Sequence, residues 1–329
     1  MTRLILGTLA AALALASVIA AQAPADGPTL SPLWTVTAGF ASPESAYYDP
    51  QSTFVFVSSI NGQILEKDGN GYISKLTTGG QVVAEKWATG LHAPKGLRSV
   101  KGTLWVSDID EVVGIEVASG RITARVKVEG AQFLNDLATA PDGTIYVSDS
   151  NQSRIYMVKD GRSSVFVEGA EAVEQPNGLL VDRGRLILGT IGPAPQGRGT
   201  PGPQARGDAA AGAGRGGDAR AGGQGRGRGA APSGHLIAFD LRTKARTLVT
   251  TQPVGAIDGI EPDGRGGLVV TDVVGQRLLH VTAGGDVTVL AKFSAGGADF
   301  GYVGDRRIAI VPFLFSNTVT AYDLTASVR

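Results

Sequence analysis

The chain has 329 residues, a formal net charge of 0, 43% hydrophobic residues and no cysteine. That balance excludes a disulfide scaffold and cysteine-ligated metal chemistry, and it offers no general electrostatic reason to bind nucleic acid. The length is large for one simple core but ordinary for a closed all-β array.

The N-terminus comes first. Met1-Thr2-Arg3 carries one positive charge, an apolar run extends from Leu4 to about Ala21, and the small residues Ala20, Ala21 and Ala23 close it. This reads as a secretory signal peptide over residues 1–21, so the expected protein is exported, periplasmic or secreted, with no membrane attachment after cleavage. A membrane anchor is the competing reading, for which the run is short and weakly apolar.

From Leu33 onward the sequence alternates and is rich in β-branched and aromatic residues, as strands require. A first strand is expected at 33–38. Further strand patterns follow in groups: 53–57, 63–68 and 81–84; 103–106 and 123–126; 144–147, 154–158 and 164–167; 185–188, 235–240 and 246–249; 267–270, 277–281 and 287–290; 307–310 and 318–323. Turn residues such as Pro141-Asp142-Gly143 and Pro262-Asp263-Gly264 separate them. No helical period of useful length is present.

Each group is headed by a segment of one shape. These are Pro43-Glu44-Ser45-Ala46, Pro94-Lys95-Gly96-Leu97, Leu134-Asn135-Asp136-Leu137, Pro176-Asn177-Gly178-Leu179, Ile257-Asp258-Gly259-Ile260 and Ala298-Asp299-Phe300-Gly301. Their polar residues are spaced 51, 40, 42, 81 and 41 apart, and the long interval contains the 41-residue stretch 193–233. Without that stretch it falls to 40, so the chain is a strand repeat with a period near 40. Six four-stranded antiparallel units predict an all-β fold, a six-bladed β-propeller over residues 30–329. The sixth unit lacks an outer strand, and the N-terminal strand 33–38 is expected to supply it and close the ring. A β-sandwich or two smaller β domains would not explain the regular spacing.

The stretch 193–233, within blade 4, is Gly, Ala, Arg and Pro with almost no large apolar residue. It cannot repay the entropy of ordering and is expected to be a disordered, solvated loop. Its six Arg and two Asp, together with Arg3, leave the rest of the chain at −5. A nucleic-acid arm is disfavoured in an exported protein.

If the six heading segments are equivalent, Glu44, Lys95, Asn135, Asn177, Asp258 and Asp299 converge on the axis. Carboxylates and amide oxygens there suit a hard divalent cation. Only three histidines occur, His92, His235 and His280, so a zinc site of soft ligands is not expected. His92 lies on a loop beside Lys95 and is a candidate substrate contact. His280 reads as structural, and Trp34, Trp87 and Trp105 as core between blades. No nucleophile elbow, phosphate loop or dinucleotide fingerprint is found.

Four of these motifs occur in register: Ser42-Pro43-Glu44-Ser45, Phe133-Leu134-Asn135-Asp136, Gln175-Pro176-Asn177-Gly178-Leu179 and Ile257-Asp258-Gly259-Ile260. From about Leu33 to the C-terminus, apart from the insert, the chain resembles the senescence-marker-protein/gluconolactonase (regucalcin-like) family of six-bladed propellers. The resemblance implies a divalent metal, Ca²⁺ first, held by Glu44, Asn177 and Asp258. It implies hydrolysis of lactones or related esters, with Asp258 as the catalytic residue orienting water and Asn135 near the substrate. Phe133 stands where the family often carries Arg, and Lys95 adds an ammonium to the ring. Both, with Asn135 and His92, are candidate substrate-binding residues. A small-molecule lactone or ester is the expected partner. The competing readings are a non-catalytic propeller that binds a small ligand or protein at the same mouth, and a metal-free propeller enzyme resembling strictosidine synthase.

Overall fold

The structure, a computed structural model, describes residues 28–192 and 234–327. The expected signal segment and the 193–233 insert lie outside the described residues.

Strand β1 (Pro32–Val36) precedes five complete units. The first holds β2 (Pro43–Asp49), β3 (Phe54–Ser59), β4 (Gly71–Thr77) and β5 (Val82–Leu91). The second holds β6 (Pro94–Val100), β7 (Thr103–Asp108), β8 (Glu111–Glu116) and β9 (Ile122–Lys127). The third holds β10 (Leu134–Thr139), β11 (Ile145–Asp149), β12 (Arg154–Lys159) and β13 (Arg162–Glu168), followed by the single turn α1 (Ala170–Val173). The fourth holds β14 (Pro176–Asp182), β15 (Arg185–Thr190), β16 (Leu236–Asp240) and β17 (Arg246–Leu248). The fifth holds β18 (Ile257–Pro262), β19 (Leu268–Asp272), β20 (Arg277–Val281) and β21 (Val287–Lys292). The chain ends with β22 (Gly301–Val303), β23 (Ile308–Phe313) and β24 (Thr318–Asp323).

These strands form six four-stranded antiparallel sheets. The sixth has the order β1-β24-β23-β22, so the N-terminal strand completes the last blade as the sequence predicts. The molecule is a six-bladed β-propeller, and its ends are joined without a covalent link.

One strand departs from expectation. Residues 63–68 are an exposed loop, and the third strand of blade 1 is β4, further along the chain. The loop closes on itself through the Glu66 amide donating to the Gln63 carbonyl. Charged Glu66, Lys67 and Asp68 leave Ile64 and Leu65 without a buried face to occupy, whereas Tyr72, Ile73 and Leu76 are all buried.

Apolar clusters fill the junctions between adjacent blades. Val55 and Val57 of blade 1 meet Ile308, Ile310 and Val319 of blade 6. Phe56 and Ile73 meet Leu97, Leu104 and Val113 of blade 2. Equivalent clusters lie at the other four junctions. Trp34, Trp87 and Trp105 pack against three of these clusters, as expected. Burying these faces is the main force that holds blade against blade.

The innermost strands of blades 1 to 5 share one irregularity. Their pairing slips between Pro43 and Ala46, Pro94 and Leu97, Leu134 and Leu137, Pro176 and Leu179, and Ile257 and Ile260. A bulge removes two residues from the ladder and re-aims their side chains. A hydroxyl from the neighbouring strand replaces the lost partner: Ser58 accepts from the Ser45 amide, Ser148 from Asp136, and Thr271 from Gly259. The polar heading residues are thereby freed from sheet duty at one end of the channel.

Candidate functional site

The bulges gather the expected residues. Glu44, Lys95, Asn135, Asn177 and Asp258 are all buried, each less than 10% exposed. Asp258, Lys95, Asp299 and Asp136 all act electrostatically on Glu44, which places blades 1, 2, 3, 5 and 6 around one point.

Four buried oxygens of the heading residues have no hydrogen-bond partner: Glu44 Oε2, Asn177 Oδ1, Asp258 Oδ1 and Asp299 Oδ1. The first three belong to the residues implied as metal ligands. A buried acceptor left bare costs stability unless a cation or donor meets it. Among the described residues no three His, Cys, Asp or Glu side chains form a metal-type cluster.

The protonation states tell the same story. Burial pushes the Glu44 carboxyl well above its ordinary value, Asp258 adds to the effect, and Lys95 opposes it. Burial also lifts Asp258, with Asp299 reinforcing and Asn177 opposing, to about 8. Both prefer a proton to a bare charge when nothing else neutralises them.

Lys95 has its own environment. Its ammonium donates to the Ala93 carbonyl at 3.0 Å and lies 3.4 Å from the Ile64 carbonyl. It also sits 4.8 Å from the centre of the Phe133 ring, a cation–π contact. Burial lowers its pKa, while Glu44 and Asp108 hold it up. Phe133 thus flanks Lys95 at the mouth. The Asn135 amide donates to Ser150 Oγ at 3.2 Å. His92 is half-buried at the same mouth, where its Nδ1 accepts from the Gly69 amide at 3.1 Å and its own amide donates to Asp108. His280 is remote from it, bonded to Asp263 at 2.9 Å.

Asp299 differs from the other heading residues. β22 begins only at Gly301, and Asp299 is held by backbone bonds to blade 1, donating to the Glu44 carbonyl and accepting from the Ala46 amide. Its Oδ2 accepts from Ser45 Oγ at 2.5 Å, while its Oδ1 is unpartnered. It sits in the layer beneath the ring with Asp136, whose Oδ2 accepts from the Leu179 amide. Burial raises both carboxyls above their ordinary value.

Below this layer lies a residue that sequence reasoning missed. Arg98 places Nη2 3.2 Å from Glu261 Oε1 and Nη1 3.6 Å from Asp299 Oδ2, and stacks over Tyr47. Burial works against its charge, but Glu261 and Asp299 outweigh that and raise its pKa. Burial lifts Glu261, against the pull of Arg98, to about 7. Five carboxyls (Glu44, Asp136, Asp258, Glu261 and Asp299) thus share two cations, Lys95 and Arg98. The signal in the sequence was the adjacency of Asp136 to Asn135 and of Arg98 to its bulge.

No family model matches the chain, and no curated protein matches it. Solved structures do. A gluconolactonase from Xanthomonas campestris superposes with a TM-score of 0.61 at 14% identity, over 91% of this chain and 96% of that one. A chain of the nidogen/laminin complex gives 0.56 at 15% identity, over 79% and 88%. Virginiamycin B lyase from Staphylococcus aureus gives 0.54 at 12% identity, over 89% and 88%. At these identities the likeness is one of architecture, and the chain is a six-bladed β-propeller that resembles a gluconolactonase across nearly its whole length.

Proposed function

We propose that this protein is an exported, metal-dependent hydrolase of lactones or related esters. The observation that carries the reading is the set of three unpartnered buried oxygens on Glu44, Asn177 and Asp258. Two carboxylates and an amide oxygen match the preference of a hard divalent ion, Ca²⁺ first. The lactonase part draws on the likeness to the gluconolactonase and on the motifs that carry Glu44, Asn177 and Asp258. Export rests on the sequence of residues 1–21.

When bound, the ion would supply Lewis acidity to a carbonyl oxygen. The side chains divide the remaining work. Asp258 orients the attacking water, and the buried setting excludes competing solvent. Lys95 is placed to neutralise Glu44 while the substrate enters, and Phe133 covers the ammonium on one side. The Asn135 amide faces the same mouth and is available to a substrate oxygen.

Calorimetric titration with Ca²⁺, followed by hydrolysis assays on a lactone panel, tests the reading. The expected result is one saturable site in the wild type, with both binding and turnover lost in Glu44→Gln and Asp258→Asn. Divalent ions that do not bind, or turnover that survives both substitutions, would overturn it. Binding of small anions without turnover would instead favour a non-catalytic propeller.

A further inference from the structure

One arc of the mouth is apolar, and the metal reading leaves it without a role. The loop between β3 and β4 leaves Ile64 and Leu65 51% and 48% exposed. This loop reaches the site, because the Ile64 carbonyl is 3.4 Å from Lys95 Nζ. From blade 6, the turn after β23 sends Leu314 past its neighbour blade to pack on Ile60 of blade 1 and on Ala93 and Ile109 of blade 2. Ala93 is also the residue whose carbonyl accepts from Lys95. The next residue, Phe315, is 90% exposed. Phe133 of blade 3 completes the arc against the Lys95 ammonium.

Large apolar side chains held open beside a polar centre mark a surface that awaits an apolar group. A polyhydroxylated ring would find few partners on this arc. Lys95 is turned to backbone carbonyls and an aromatic face, and Ile64, Leu65 and Phe315 carry no side-chain hydrogen-bonding groups.

We infer that the substrates are lactones or esters bearing an alkyl or acyl chain of several carbons. The ester group lies at Glu44, Asn177 and Asp258, and the chain lies along Phe133, Ile64, Leu65 and Phe315. This rests on the hydrolase reading above. In the reaction the oxygen of water bonds to the acyl carbon, and the single bond from that carbon to the ring or ester oxygen breaks. One proton of the water ends on the alkoxide and the other passes to solvent, leaving a hydroxy carboxylate with the same chain.

The test compares γ-butyrolactone, γ-nonalactone and glucono-δ-lactone on the Ca²⁺-loaded full chain. The expected kcat/KM for γ-nonalactone exceeds that for γ-butyrolactone by about tenfold or more, because several methylenes leave water. The double variant Leu65→Ser/Phe315→Ser is expected to cut that ratio at least about threefold. Saturation-transfer NMR on Asp258→Asn gives a second readout, with transfer expected to the alkyl protons of γ-nonalactone and lost in the double variant. Equal kcat/KM for the two γ-lactones, or a preference for glucono-δ-lactone, overturns the inference and leaves the hydrolase reading standing. If no lactone is turned over, the hydrolase reading fails, and the NMR arm alone decides whether the apolar arc holds a chain.

Discussion

Arg98 of blade 2 reaches across the channel to Asp299 of blade 6, with Nη1 3.6 Å from Oδ2, while its other terminal nitrogen meets Glu261 of blade 5. One guanidinium therefore compensates carboxylates from two other blades in a region closed to solvent. Removing it strands charges that cannot be rehydrated. Arg98→Met is expected to cost about 3–5 kcal/mol. Thermal melts would show the loss, larger at pH 8 than at pH 5, where the stranded carboxyls can take up protons.

The metal ligands should behave in the opposite way. Glu44 and Asp258 are carboxyls whose ionisation burial opposes when no ion is bound. Glu44→Gln and Asp258→Asn are each expected to raise the melting temperature of the metal-free protein and to abolish the increase that Ca²⁺ gives the wild type. Melting curves with and without chelator separate the two effects. A wild type whose melting temperature ignores Ca²⁺ would refute the assignment.

A pH dependence follows from the same pair. The folded-state pKa of Asp258 is raised to about 8, and that of Glu44 is raised as well. The folded, metal-free chain therefore binds more protons than the unfolded chain between the ordinary carboxylate range and pH 8. Its stability is fullest below that range and falls as pH rises through the folded-state values. Ion binding must displace those protons, so Ca²⁺ affinity is expected to climb from pH 5 to pH 8. Calorimetry in buffers of different ionisation heat would report proton release at the lower pH.

Gly178 offers a purely structural test. A Cβ at this position would lie 1.8 Å from the Asp258 carbonyl oxygen. Gly178→Ala must push blade 4 from blade 5 and is expected to cost about 3 kcal/mol. Because the displaced carbonyl belongs to a proposed ligand residue, Ca²⁺ affinity should fall with it, which chemical denaturation and calorimetry would show together.

The spacing of the heading residues made the ring legible, since a strand repeat near 40 residues has few ways to close. The closing strand was legible because blade 6 visibly lacked a fourth member. The Asn-Gly and Asp-Gly pairs were harder, since the same dipeptides make turns. Here the glycines exist because neighbouring inner strands nearly touch. Residues 63–68 misled because two apolar residues among polar ones mimic a short strand, and only the burial of Tyr72 and Leu76 shows where the strand lies. Arg98 was missed because its place beside a bulge does not name its partners, which are 163 and 201 residues away in sequence. No local pattern encodes a contact across the axis.

The pairing of β1 with β24 carries a consequence for how the protein is made. The ribosome delivers β1 before the other strands of the wheel and β24 after them. The circle stays open until β24 has been made, and each earlier blade waits beside an unclosed gap. A chain arranged in this way commits to its final form late, and deleting either β1 or β24 should spoil the whole wheel rather than a single spoke.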